Sequence, residues 1–355
     1  MTITNYKNFR FYTIVLLFIV LLAFILYQGR FLFIPLGFAM MICFMYYPIG
    51  IWIENRLGRN MAIAVALLLQ LVAGFLLYHL IASTITLLHQ SITSSKEEIW
   101  EFGVRILTFF ENMVGVNAGE QRDIAQYFYQ NLLQQTVPFL RQTISISAGT
   151  IAMVLIIPVF VSLIFYYREL LVKFVLMVVP ESQVRGFKDT IDETTSTYFK
   201  FAKGMALVYL IVGCLNSIGF LIIGLPNAIY FGVLASLLTF FPYIGIMMGG
   251  LAAVIVALTA FNSIWYPVGV VVVLGVVQYL EANVIFPWVV GHQLKLNTLA
   301  TLIAMFIGGI IWGGAGLILF VPFAAILKIL SDRVQGLKSL SVLLGPSHEE
   351  QQGVP

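Results

Sequence analysis

The sequence predicts an all-α polytopic membrane protein with about eight hydrophobic segments. Two of these are broken or re-entrant helical hairpins, and amphipathic helices lie outside the bilayer. Three observations carry this reading. Of the 355 residues, 60% are hydrophobic and 10% charged, with mean hydropathy +0.97; an average soluble domain is about 45–50% apolar and about 25% charged. Apolar, uncharged runs of about 18 residues or more recur, as in membrane helices. Two of the longest runs, each over thirty residues, break near their middles at Pro or Gly into arms shorter than a hydrocarbon core.

Taken in order, the apolar segments fall near 11–27, 31–50, 61–83, 146–167, 204–224, 229–260, 264–285 and 298–330. The first starts after Lys7 and Arg10 but shows no small-residue cleavage site, so a retained helix is expected rather than a signal peptide. Only Gln28-Gly29-Arg30 separates it from the second, which implies a tight helical hairpin. Residues 1–83 then form the N-terminal transmembrane helices, and 84–145 an extracytoplasmic amphipathic helical insertion. One transmembrane helix follows at 146–167, and 168–203 is a cytoplasmic amphipathic segment. Residues 204–332 form a transport region with two broken hairpins, and 333–355 a cytoplasmic tail.

The segments 229–260 and 298–330 break at "FPYIG" (241–245) and "GGIIWGGAG" (308–316). Arms of about 15 residues reach only about 22 Å, short of a hydrocarbon core of about 30 Å. They are either re-entrant hairpins or broken crossings, and irregular backbone at that depth must be buried in protein or line a cavity. Pro242 removes a helix donor, and Gly245 allows conformations closed to other residues. Ser236 and Thr239, just upstream, either add ligands or bond back to their own helix. Gly308, Gly309, Gly313, Gly314 and Gly316 surround Trp312. No strand precedes them and no Lys-Ser/Thr follows, so they read as close backbone packing at a flexible corner rather than a phosphate loop. Pro322, grouped with the helix-breaking positions, is expected to bend the outgoing arm, and Lys328 to end it at the inner face with its side chain snorkelling to solvent.

Orientation comes from Lys and Arg. With the N-terminus inside and both long segments as hairpins, fourteen of the nineteen lie on the inner side and five on the outer. The positive-inside rule then favours cytoplasmic termini and an outside 84–145 region. In that insertion Ile85, Leu88, Ile92, Ile99, Phe102, Ile106, Phe109 and Met113 form a heptad-like seam, either a packed amphipathic helix or an intersubunit contact. Asp189, Asp192 and Glu193, among Lys188, Lys200 and Lys203, read as a solvated face.

Glu281 is the chemically pointed residue. A carboxylate at membrane depth costs about 2.5–3.5 kcal/mol on insertion scales, so it normally faces a cavity or a partner. Gln278 and Gly275 precede it at one-turn intervals, and Asn283 adds a donor and an acceptor. These residues mark a substrate or proton pathway, or else a structural hydrogen-bond clamp, or an interfacial carboxylate reaching the headgroups. Pro287 and Gly291 disturb the helix just beyond. Asn216-Ser217 either bonds a neighbouring helix or meets a ligand. His79 and His89 have no carboxylate at ligand spacing, and His292 reads as a loop residue, so no metal site is expected. Cys43 and Cys214 lie in separate apolar runs, which leaves the redox compartment open. No ATP-binding loop, nucleophile elbow, zincin helix or basic nucleic-acid patch is visible, so neither an enzyme nor a cofactor is expected.

Taken together, "FPYIG", "QYLEANVIFPWVVG" (278–291) and "GGIIWGGAGLILFVPFAAILK" (308–328) resemble the autoinducer-2 exporter-like family, the PerM-type permeases. The family pattern falls here on Pro242, Gly245, Gln278, Glu281, Asn283, Pro287, Gly291, Gly308, Gly309, Gly313, Gly316, Pro322 and Lys328. Two positions depart from it: Ile246 and Asn297-Thr298 stand where many relatives have Pro. The resemblance implies a bacterial inner-membrane transporter that does not hydrolyse ATP and assembles as a homo-oligomer, with a pentamer as the suggested form. It also implies export of a small polar solute such as autoinducer-2 or, alternatively, sodium (lithium)/proton antiport. A non-transporting scaffold is the third reading. The expected site has the two broken segments flanking Glu281, with Gln278 and Asn283 assisting.

Overall fold

A computed structural model of the chain describes residues 3–94, 148–181, 184–239, 244–261, 263–290 and 296–346. They are helical almost throughout, with no strand among them. The helices are α1 (Ile3–Gln28), α2 (Arg30–Leu57), α3 (Arg59–Ser94), α4 (Ala148–Tyr166), α5 (Arg168–Val178), α6 (Val184–Ile223), α7 (Ala228–Leu238), α8 (Ile244–Ala260), α9 (Trp265–Leu280), α10 (Phe286–Val289), α11 (Thr298–Trp312), α12 (Gly314–Arg333) and α13 (Lys338–Leu344). A π-helical turn, Glu281–Ile285, joins α9 to α10. Among the described residues, five helices, with α9 to α10 taken as one, are long and apolar enough to cross a membrane, and α4 with α5, bent by 67° at Tyr167, makes a sixth if that pair is one span. The protein is an all-α, multi-pass membrane protein.

The chain divides into two compact units. One holds residues 1–70, 149–202 and 292–355; the other holds 71–148 and 203–291.

In the first unit, α2, α3 and α4 pack through Cys43, Tyr46, Ile53, Ala62, Ala66 and Phe165. The Tyr46 hydroxyl donates to the Ala62 carbonyl at 2.7 Å. The ends of these helices are tied by charge. Glu54 accepts from Arg59 at 3.2 Å and from Arg168 at 2.8 Å, and Arg59 also pairs with Glu169. Beyond the bend, α5 exposes Leu170, Leu171, Phe174, Met177 and Val178 on one face, the pattern of a helix that lies along an apolar boundary.

The segment 298–330 is a hairpin. Gly313, at φ 60° and ψ −138°, turns α11 into α12, and the arms pack along each other. A Cβ on Gly308 would lie 2.2 Å from the Gly316 oxygen, and one on Gly316 would lie 1.8 Å from the Gly308 oxygen. Only glycine allows this approach. Trp312 donates from Nε1 to the Leu26 carbonyl at 2.9 Å, which pins α1 to the corner.

Two expectations need correction here. Pro322 does not break the outgoing arm: α12 runs through it for 20 residues, about 30 Å, and is long enough to cross alone. Away from water, carbonyls freed by a break would go unpaired, which favours continuing the helix; the Tyr198 hydroxyl also donates to the Pro322 carbonyl. Lys328 does not extend toward solvent. It is buried, paired with Asp332, and covered by Gly345 beyond α13.

Asn297 accounts for one departure from the family pattern. Its Oδ1 caps α11 by accepting from Ala300 N–H at 2.7 Å, while Nδ2 donates to the Leu343 and Gly345 carbonyls at 2.7 and 2.8 Å. A proline there would lose the cap and the clasp on α13 together. The acids Asp189 and Glu193 are not simply solvated, since Arg333 reaches them at 3.7 and 2.6 Å.

In the second unit, α7 and α8 form another hairpin. Ala228, Phe231 and Leu234 pack against Ala252, Ala253, Ile255, Val256 and Ala257, and Gly249 lies tight against Ala235. Phe241 and Pro242 fall outside the described residues; Gly245 lies in the first turn of α8. Ile85, the first seam residue, is buried in this core, and Thr84 and the Tyr230 hydroxyl share a 2.7 Å hydrogen bond. The seam from Ile99 onward lies outside the described residues.

Helix α6 runs unbroken for 40 residues, about 60 Å, roughly twice a hydrocarbon core. It crosses position 203/204, where the polarity of the sequence changes, without interruption.

Candidate functional site

The site is built from α6, α7 and α9 in the second unit. Glu281 ends α9 and opens the π turn, in which Phe286 N–H bonds the Glu281 carbonyl. In a regular helix the Pro287 ring would clash with the carbonyl of Asn283, and the wider turn relieves this. Such π turns are frequent at functional sites.

Glu281 is only 7% exposed and shares a buried stripe of this helix with Val270 and Val277. Its Oε2 is buried and has no hydrogen-bond partner among the described residues. It is the one carboxylate among the described residues of its unit, and Lys203, exposed, is the one Lys or Arg. No fixed positive charge from those residues offsets it.

The neighbouring helix supplies what faces it. Gly204 of α6 lies against Val289 and Val290, and Gly219 lies against Val273, so α6 and the α9–α10 rod run antiparallel in close contact. The Tyr209 hydroxyl is near enough to Glu281 for the carboxylate charge to act on it, and it too lacks a hydrogen-bond partner among the described residues. Asn216 is 3% exposed, and its Oδ1 is likewise unpartnered there. Ser217 has a different role: its hydroxyl donates to the Ile229 carbonyl of α7 at 3.3 Å, and Gly232 makes room for it. The Asn216-Ser217 pair therefore divides, with Ser217 bonding a neighbouring helix and Asn216 left open. Ser236 and Thr239 bond back to their own helix at Val233 and Ala235.

The remaining sequence-derived residues are spread more widely. Asn283 is exposed and donates to the Tyr279 carbonyl at 2.9 Å, within its own helix. Gln278 is half-buried, and a Cβ on Gly275 would meet nothing within 4 Å. Pro287 sits in α10 just past the π turn. Pro242 and Gly291 lie outside the described residues. Gly308, Gly309, Gly313, Gly316 and Pro322 belong to the first unit.

Tyr209 was missed by sequence reasoning. It is one aromatic among 16 tyrosines, inside an apolar run. The available signal was its seven-residue spacing from Asn216, which puts both on one helical face.

Residues 14–336 match the family model described as AI-2E family transporter. A Bacillus subtilis (strain 168) protein named "Putative transport protein YrrI" is 27% identical over 314 residues, covering 84% of this chain and 85% of that protein. A second from the same organism, "Putative transport protein YueF", is 27% identical over 349 residues, covering 90% and 91%. "Putative transport protein YhhT" of Escherichia coli (strain K12) is 29% identical over 146 residues, covering 41% and 42%. With the match spanning nearly the whole sequence, the chain belongs to the AI-2E family of transporters.

Proposed function

We propose that the protein exports a small, polar, uncharged solute such as autoinducer-2 without ATP hydrolysis, with Glu281 as proton carrier or polar anchor. The observation that carries this is the buried, unpaired Glu281 oxygen beside a π turn, in a unit whose described residues place no fixed positive charge against it. A carboxylate held this way is costly, and such residues characteristically mark transport pathways. Flux in proteoliposomes, compared between wild type and Glu281→Gln, tests it. Equal flux in both for every transported compound removes Glu281 from the mechanism.

Sodium (lithium)/proton antiport is the second reading. It is favoured by the absence of a Lys or Arg partner for Glu281 among the described residues: the charge is then neutralised by a proton or by a cation, in alternation. Sodium-driven collapse of a pH gradient in everted vesicles, lost in Glu281→Gln, would select it.

The setting we infer is a bacterial inner membrane with cytoplasmic termini and an outside 84–145 region, supported by the distribution of Lys and Arg. A homo-oligomer, with a pentamer as the form suggested by family resemblance, is the proposed assembly. Native mass measurement in detergent tests the subunit number.

A further inference from the structure

Three buried polar atoms of the second unit lack a hydrogen-bond partner among the described residues: Glu281 Oε2, the Tyr209 hydroxyl and Asn216 Oδ1. A buried polar group left unpaired is costly, so three within one helical unit need a reason.

Helix register brings them to one level. Glu281 lies eight residues beyond Val273, and eight residues back from its partner Gly219 is position 211 of α6. Counting from the Gly204–Val289/Val290 contact puts Glu281 level with positions 212–213. Tyr209 therefore lies about one turn to one side of the carboxylate and Asn216 about one turn to the other.

The angular positions agree. Gly213 and Ser217 of α6 face α7, while Gly204 and Gly219 face the α9–α10 rod. At about 100° per residue, Tyr209 and Asn216 share one flank of α6 between these two faces. Glu281 is buried on the α9–α10 rod that packs on α6.

We propose that Tyr209 and Asn216 complete a proton-binding site with Glu281, rather than the amides Gln278 and Asn283 of its own helix. The proposal rests on the reading of Glu281 as a proton carrier. Glu281 holds the proton, and the other two are positioning residues. A protonated carboxyl has one O–H to give, and Asn216 Oδ1 accepts it. An ionised carboxylate needs a donor, and the Tyr209 hydroxyl supplies one. Each protonation state thus has a partner of matching hydrogen-bond character. Nothing titratable competes from the adjoining helices: Ser236, the polar group on the part of α7 facing α6, does not titrate, the one ionisable side chain of α7, Tyr230, is bonded to Thr84, and α8 has no titratable residue. On the α9–α10 rod, Tyr266 stacks on Phe261 and Tyr279 is exposed.

The test uses the full-length protein in liposomes with N,N′-dicyclohexylcarbodiimide, which adds to protonated carboxyls in apolar surroundings. The Glu281 adduct is quantified by peptide mass spectrometry across a pH series. Labelling should fall as pH rises. In Tyr209→Phe the fall should shift to higher pH by about one unit, because the ionised form has lost a charge-assisted donor. In Asn216→Ala it should shift to lower pH, because the protonated form has lost its acceptor. Asn283→Ala and Gln278→Ala should leave the profile in place. A Tyr209→Phe profile that coincides with wild type or shifts to lower pH overturns the site, and so does an unmoved Asn216→Ala profile. Tyr209→Phe is close to isosteric, so it decides the matter even if Asn216→Ala fails to fold. Shifted profiles with unaltered flux in Glu281→Gln keep the site and discard its role in transport. Unshifted profiles with flux lost in Glu281→Gln do the reverse.

Discussion

Replacing Gly316 by Ala should be the most damaging single-methyl change in the α11–α12 hairpin. The new Cβ would start 1.8 Å from the Gly308 oxygen and 2.3 Å from its carbonyl carbon. Ordinary contact begins near 3.4 Å, so the two helices must separate by about 1.6 Å at this crossing (from 1.8 to 3.4 Å). The obstacles are the backbone atoms of Gly308, so no side chain can rotate to make room. Overpacking of this kind costs about 1–3 kcal/mol, and often more against backbone. Two neighbours serve as controls. Gly313→Ala meets nothing within 4 Å but must hold φ 60°, a strain of about 1–3 kcal/mol without any crowding. Gly314→Ala meets nothing and has no such φ, so it should be neutral or slightly stabilising, as Ala exceeds Gly in a helix by about 1 kcal/mol. Thermal unfolding of the purified protein in detergent, followed by circular dichroism, reads all three. The expected order of stability is Gly314→Ala, then Gly313→Ala, then Gly316→Ala. A Gly316→Ala protein that melts with wild type would show that the hairpin is not packed as described.

Further perturbations test the other anchors. Asn297→Ala removes the α11 cap and both side-chain bonds to the Leu343 and Gly345 carbonyls; it should cost about 1–3 kcal/mol and expose α13 to protease earlier than wild type. Trp312→Phe keeps most of the ring packing but loses the bond to the Leu26 carbonyl, so a loss of about 1 kcal/mol in the same melting assay is expected. Arg168→Ala leaves Glu54 with Arg59 alone; the melting point should drop, and the difference from wild type should shrink at high salt if charge is the cause. If the difference stays the same in high salt, Arg168 acts there through packing on Phe165, over whose ring it lies at 4.6 Å.

Much of this protein was legible in the sequence because membrane insertion depends on a local sum. Some twenty apolar residues in a row are enough to specify a span, whatever lies next to it, and the segments near 31–50, 61–83 and 264–285 all fall within helices of crossing length. The corner at Gly313 and the oddity of Glu281 were equally local, one a matter of backbone freedom and the other of charge in an apolar run. Helix continuity was not. At 203/204 the side chains turn from polar to apolar, yet backbone hydrogen bonding is indifferent to that change, so α6 passes straight through. Nor do α12 and Lys328 follow from sequence, since whether a proline interrupts a helix or a lysine reaches solvent depends on which neighbours cover it. The partners of Glu281 are the clearest case. The nearby amides in sequence fall at the half-buried and exposed positions Gln278 and Asn283. Tyr209 and Asn216, more than sixty residues away, are brought level with the carboxylate by the packing of α6 on α9. That packing is set by small residues letting backbones approach, a property of two surfaces together that neither stretch of sequence carries alone.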